Sequence, residues 1–97
     1  MLIGLMKINI LLHGVDSLKG KRSIVKSLIG HIQSRFNASV AEIDRQDEKT
    51  VAVIGLAVVS GEKQHVESQL DTILNFVRGD GRFYLGQIER EIFPAGL

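Results

Sequence analysis

A chain of 97 residues with no cysteine and a formal net charge of +1 is one domain, residues 1–97, and it excludes a disulfide framework and thiolate chemistry. On folding it buries roughly 65% of its surface, enough for one core. The balance hides an asymmetry: residues 1–41 hold six Lys/Arg against Asp16 alone, and residues 42–97 hold six Lys/Arg against ten Asp/Glu, a basic front that hints at an anionic partner and an acidic back that could instead neutralise it within the fold.

In chain order, residues 2–12 alternate as a strand, with Leu2, Met6, Ile8, Ile10 and Leu12 on one face and Lys7 and Asn9 interrupting the other. Those interruptions, with no cationic segment before them, argue against a signal peptide. No stretch approaches the roughly 20 apolar residues of a membrane span, so no membrane partner and a cytoplasmic location are expected. Gly14–Ser17 is a turn, with Ser17 as N-cap. From about Leu18 to Phe36, residues Leu18, Val25, Leu28, Ile29, Ile32 and Phe36 fall on one side of a helix. Gly20 and Gly30 each weaken it by roughly 1 kcal/mol relative to Ala, and Asn37 suits a left-handed cap at its end.

Residues 39–44 form a second, weakly patterned strand, and RQDEKT at 45–50 is a hairpin connection. TVAVIGLAVV at 50–59 is the clearest strand, β-branched and apolar on both faces. Ser60 caps a second helix whose stripe is Val66, Leu70, Ile73, Leu74 and Val77, flanked by Phe76. Gly79-Asp80-Gly81 turns the chain into a last strand, 83–93, stopped by Pro94.

The order β-α-β-β-α-β is the split βαβ, ferredoxin-like plan of an α+β protein: four antiparallel strands with both helices on one face. Right-handed crossovers place the first and third strands in the centre. The other face stays bare, and the third strand offers it either Val51, Val53, Ala57 and Val59 or Ala52, Ile54, Leu56 and Val58. Ile3, Leu5, Leu11, Ile54, Leu56 and Val58 are therefore candidate interface residues of a homodimer. Coverage by the chain's own residues 92–97 answers the same need. Base stacking on the bare face is disfavoured, because neither central strand carries Phe, Tyr or Trp.

The opening of the first helix breaks a local rule. SLKGKRSIVK puts Lys19, Lys21, Arg22 and Lys26 at the end where the helix already carries partial positive charge. On the wheel Lys19, Arg22 and Lys26 make one ridge beside Ser23, Ser27, Gly30 and Ser34. Lys21 falls on the opposite flank, towards the sheet. An anion bound there would meet free backbone N–H groups, the helix dipole and the cations together. The competing reading pairs the cations with Glu42, Asp44, Asp47 or Glu48. Ser17, Lys19, Lys21, Arg22 and Lys26 are thus the candidate anion or RNA site. Four phosphate contacts on a single strand predict a roughly 50-fold fall in affinity between 50 and 200 mM salt.

His13, His31 and His65 lack metal-ligand spacing, the acidic hairpin reads as solvated, and no metal or cofactor is expected. The first strand–helix loop, HGVDSLKGKR, lacks the glycine-bracketed arginine loop of acylphosphatases, which share this plan, and the third strand lacks their asparagine. Phosphate-ester hydrolysis is therefore the weaker alternative, and no catalytic residue is expected.

SLKGKR, NASVAEIDRQD and VAVVSG followed by HVESQLDTILNFV together resemble the small bacterial YlxP-like proteins, an uncharacterised family. SLK-x-KR, here Ser17, Leu18, Lys19, Lys21 and Arg22, is the most specific piece. The sequence departs from the family at Gly20, where an acidic residue would complete a capping box with Ser17. The resemblance implies a ferredoxin-like fold and a gene neighbourhood shared with translation factors and ribosome-binding factor A in many bacteria, and so RNA or the ribosome as partner. It carries no catalytic residue.

Overall fold

Alternation of buried and exposed side chains makes an antiparallel sheet out of four segments, and two amphipathic helices close one of its faces. The computed structural model describes residues Met1–Leu97. Its elements are β1 (Leu2–Leu12), α1 (Leu18–Arg35), β2 (Ser39–Asp44), β3 (Val51–Ser60), α2 (Lys63–Arg78) and β4 (Phe83–Pro94). The sheet order is β2-β3-β1-β4, with every neighbouring pair antiparallel. This is the ferredoxin-like α+β arrangement, with β3 and β1 at the centre.

The register decides which face is core. Met6 stands opposite Leu56, Ile8 opposite Ile54 and Ile10 opposite Ala52. All six are buried with Val25, Leu28 and Ile32 of α1 and Val66, Leu70, Ile73 and Val77 of α2. Ile54, Leu56 and Val58, 1%, 4% and 3% exposed, therefore belong under the helices, and the expectation that they face a dimer partner is corrected. Lys7 and Asn9 share the bare face of β1, so the wholly apolar set had to turn to the helices. Gly4 lies under α2, where a Cβ would run into Val66 Cγ1 and press on Val58 Cγ2. Only glycine lets the helix approach this closely.

Three boundaries differ from the sequence expectation. Ser60 completes the ladder opposite Leu2, so α2 starts later, with Glu62 in the cap position and no side-chain cap bond. Ser60 Oγ instead accepts from the Glu62 N–H at 3.2 Å and meets His65 Nδ1 at 3.2 Å. α1 ends without a left-handed cap: Phe36 turns extended while its N–H still reaches the Ile32 carbonyl at 2.8 Å. The left-handed non-glycine residue is Arg45, φ 56°, in the β2–β3 hairpin. A register irregularity between Glu42 and Asp44 precedes it, and Asp44 Oδ1 accepts the Arg45 N–H at 2.8 Å. Pro94 ends an edge strand, where a missing N–H breaks no ladder.

The bare face stays bare. Ile92 packs towards the helices as part of the core's margin. The Ala95 N–H bonds the Met1 carbonyl at 2.8 Å, leading the chain past the end of β1, and Leu97 is fully exposed. The terminal segment does not fold over the sheet. No helix is long and apolar enough to cross a membrane.

Candidate anion-binding surface

Ser17 sits in extended backbone (φ −144°, ψ 154°) and its Oγ accepts the Gly20 N–H at 3.0 Å. The Lys21 N–H closes the first intrahelical bond to the Ser17 carbonyl at 3.1 Å. The cap satisfies one orphan donor and leaves the first N–H groups of the helix facing outwards. No acidic residue lies in the first turn, because Gly20 stands at the third helical position, where a carboxylate would complete a capping box. The helix's positive end is therefore electrostatically uncompensated from within the helix.

The four cations divide. Lys21 is fully buried. Its ammonium donates to the Arg45 carbonyl at 2.7 Å and lies 3.0 Å from Glu42 Oε2. The contact with Glu42 is an ion pair without hydrogen-bond alignment, since that oxygen has no directed donor. The aligned bond goes to the hairpin carbonyl. Removing Lys21 from the candidate anion site is a correction with a plain cause: its place on the sheet-facing flank puts the ammonium beneath the hairpin, where Glu42 and a carbonyl occupy it. Lys19, Arg22 and Lys26 are exposed, and none has a carboxylate within ion-pair distance; the ion pairs of the chain involve Lys7, Lys21, Arg45, Arg82 and Arg90. They stand three and four residues apart on one ridge, as the wheel places them.

A second polar cluster has no counterpart in the sequence reading. Arg82 grips Asp80 through Nε to Oδ1 at 2.9 Å and Nη2 to Oδ2 at 2.6 Å, and its Nη1 donates to Ser27 Oγ at 3.1 Å. The Arg82 hydrogen bonds hold the Asp80 carboxyl below its ordinary range, outweighing the opposing effect of burial, and Asp80 in turn raises Arg82. Beside them a notch of about 620 Å³ is lined by His31, Arg35, Asn75 and Phe76. Arg35 lies over the Phe76 ring at 4.8 Å. Asp80 in a Gly-Asp-Gly turn was the only available signal, and it marks a turn rather than a clamp. The clamp ties the start of β4 to α1.

On the opposite side, Leu5, Lys7, Ala41, Ile43, Gly55 and Ala57 line a shallow trough of about 490 Å³ on the bare sheet face. Its floor is low because β2 and β3 place small residues there, and Ile43 lies across Gly55, within 3.0 Å of where a Cβ would stand.

Fold and surface together define a small ferredoxin-like α+β protein with a capped helix whose first turn holds no acid and whose ridge bears three cations without an ion-pair partner. The chain belongs to the DUF503 family, described as proteins of unknown function, whose model matches residues 3–90. It is 32% identical over 76 residues to the uncharacterised protein YlxP of Bacillus subtilis, covering 78% of this chain and 83% of that one.

Proposed function

We propose that the protein is a non-enzymatic accessory factor that binds RNA phosphates, on the ribosome or in its assembly, through Lys19, Arg22 and Lys26 around the Ser17-capped end of α1. The observation that carries this reading is the set of three exposed cations, none paired with a carboxylate, at a helix end whose first turn holds no acid. A phosphate there gains the orphan N–H groups, the dipole and the cations at once. The gene neighbourhood implied by the resemblance to YlxP-like proteins supports RNA as the polyanion.

With Lys21 occupied, three phosphate contacts remain. Affinity for a single-stranded RNA then falls roughly 20-fold between 50 and 200 mM salt. The test is fluorescence anisotropy with a labelled single-stranded RNA, alongside co-sedimentation with ribosomes. Lys19→Glu/Arg22→Glu/Lys26→Glu loses both signals with an unchanged circular dichroism spectrum. Co-sedimentation of this triple variant at the wild-type level overturns the proposal.

A further inference from the structure

Seven large apolar side chains are exposed in this protein. Two, Met1 and Leu97, are chain ends; the other five, Leu5, Leu11, Ile43, Val59 and Tyr84, are 37%, 44%, 49%, 50% and 68% exposed. All five lie on the bare sheet face. Val59 stands opposite Ile3 and Tyr84 opposite Leu11 in the β-ladders, and Ile43 lies over Gly55, which faces Lys7. The outer sides of both helices carry none. This concentration is not the scatter expected of single surface apolar residues.

We infer that a second copy of this chain covers that face, sheet against sheet, with the helices outside. The area suits it. Four strands about 4.8 Å apart and about ten residues long at about 3.3 Å each present some 600 Å² before side-chain relief. That approaches the roughly 800 Å² per partner of a stable interface. The trough over Ala41, Gly55 and Ala57 supplies a recess for an apolar knob of the facing sheet, packed about 10 Å away.

Charge selects a second copy over other occupants. Lys7 and Glu89 pair across the face at 3.1 Å, and Glu91 stands opposite Leu5 in the ladder. More carboxylate than ammonium turns a polyanion away, so this face is separate from the cation ridge. Lys7 and Glu91 stand on neighbouring rungs of this face of the ladder, so a two-fold axis passing between them would bring Lys7 of each copy, beside its own Glu89, towards Glu91 of the other, twice. A partner of single sign meets repulsion from one of the two.

Sedimentation equilibrium of the whole chain from about 1 µM to about 1 mM tests the inference. The expected result is a monomer–dimer equilibrium. Leu5→Glu and Leu11→Glu are then monomeric at every concentration, with wild-type circular dichroism, because neither residue is in the core. Lys7→Glu and Glu91→Lys each weaken self-association by about tenfold or more, and an equimolar mixture of the two recovers it, since each new charge meets its opposite on the other chain. A constant monomer mass overturns the inference. So does a dimer that persists in both leucine variants, or a mixture that associates no better than its components.

Discussion

The Lys21 ammonium donates to the carbonyl of Arg45 at 2.7 Å, joining the first turn of α1 to the one left-handed non-glycine residue of the chain. That carbonyl also accepts the Glu48 N–H at 3.1 Å, and the Arg45 side chain lies 3.0 Å from Glu48 Oε2. A lysine in a basic run thus acts as a structural pin between helix and hairpin, while its neighbours in sequence face solvent. The two roles separate experimentally.

Lys21→Ala strips the partner from Glu42 and from a hairpin carbonyl at once. Breaking one side of a buried pair costs about 3 kcal/mol or more, which urea denaturation will read as a lowered midpoint. Lys21→Met/Glu42→Leu removes both charges and recovers most of the loss. On the proposed RNA binding, neither change alters the salt dependence, whereas Lys19→Gln lowers its logarithmic slope by about 0.7.

Gly20→Glu tests the acid-free first turn of the helix from the other direction. The new carboxylate completes the capping box with Ser17 and replaces a poor helix former, raising stability by about 1 kcal/mol. The new side chain has to displace Ser17 Oγ slightly, since a Cβ would lie 3.2 Å from it. The same carboxylate offsets part of the ridge's charge, so under the proposed function RNA affinity falls while the melting temperature rises. Ser17→Ala lowers stability by about 1 kcal/mol through loss of the cap.

Gly4→Ala measures how tightly α2 sits on the sheet. A methyl group there collides with Val66 Cγ1 and Val58 Cγ2, and overpacking of this kind costs about 1–3 kcal/mol. Val66→Ala in the same chain relieves part of it. A double variant less stable than the sum of the two single changes would count against this contact.

The Asp80–Arg82 clamp sets an acid limit. A carboxyl held below its ordinary 3.8 by Arg82 contributes stability that is fully present above that value and is lost as the pH falls through its depressed folded value. Between about pH 5 and 2 the melting temperature of the wild type falls more steeply than that of Asp80→Asn, and the two curves converge at the acid end. Parallel curves would show that the clamp makes no difference to folding.

Much of this was legible in the sequence because local pattern and topology agree. The Leu2–Leu12 alternation, the α1 stripe and the apolar run of β3 point to the same β-α-β-β-α-β order. The wheel already turns Lys21 towards the sheet, and Glu42 is among the carboxylates that the competing reading folds back onto these cations. What hid was the choice between two apolar faces of β3. Both sets of alternating residues suit burial, and only the register with β1, Ile8 opposite Ile54, assigns one to the helices. The Arg82–Asp80–Ser27 contacts join residues 55 positions apart, a distance over which no periodicity speaks. Arg45 was hidden differently: a long side chain gives no sign of a left-handed backbone, which here follows from the bulge before it.

β4 leaves twelve residues of backbone along a free margin of the sheet, but Glu89, Arg90 and Glu91 stand on it. Drawing another strand alongside would strip water from these charges, which is how natural sheets discourage growth sideways. Addition of layers is limited too, since the helices already occupy one side. With charges along the β4 margin and the helices on one side, the sheet-to-sheet pairing inferred above would close at two copies instead of stacking further layers onto a surface so rich in aliphatic carbon.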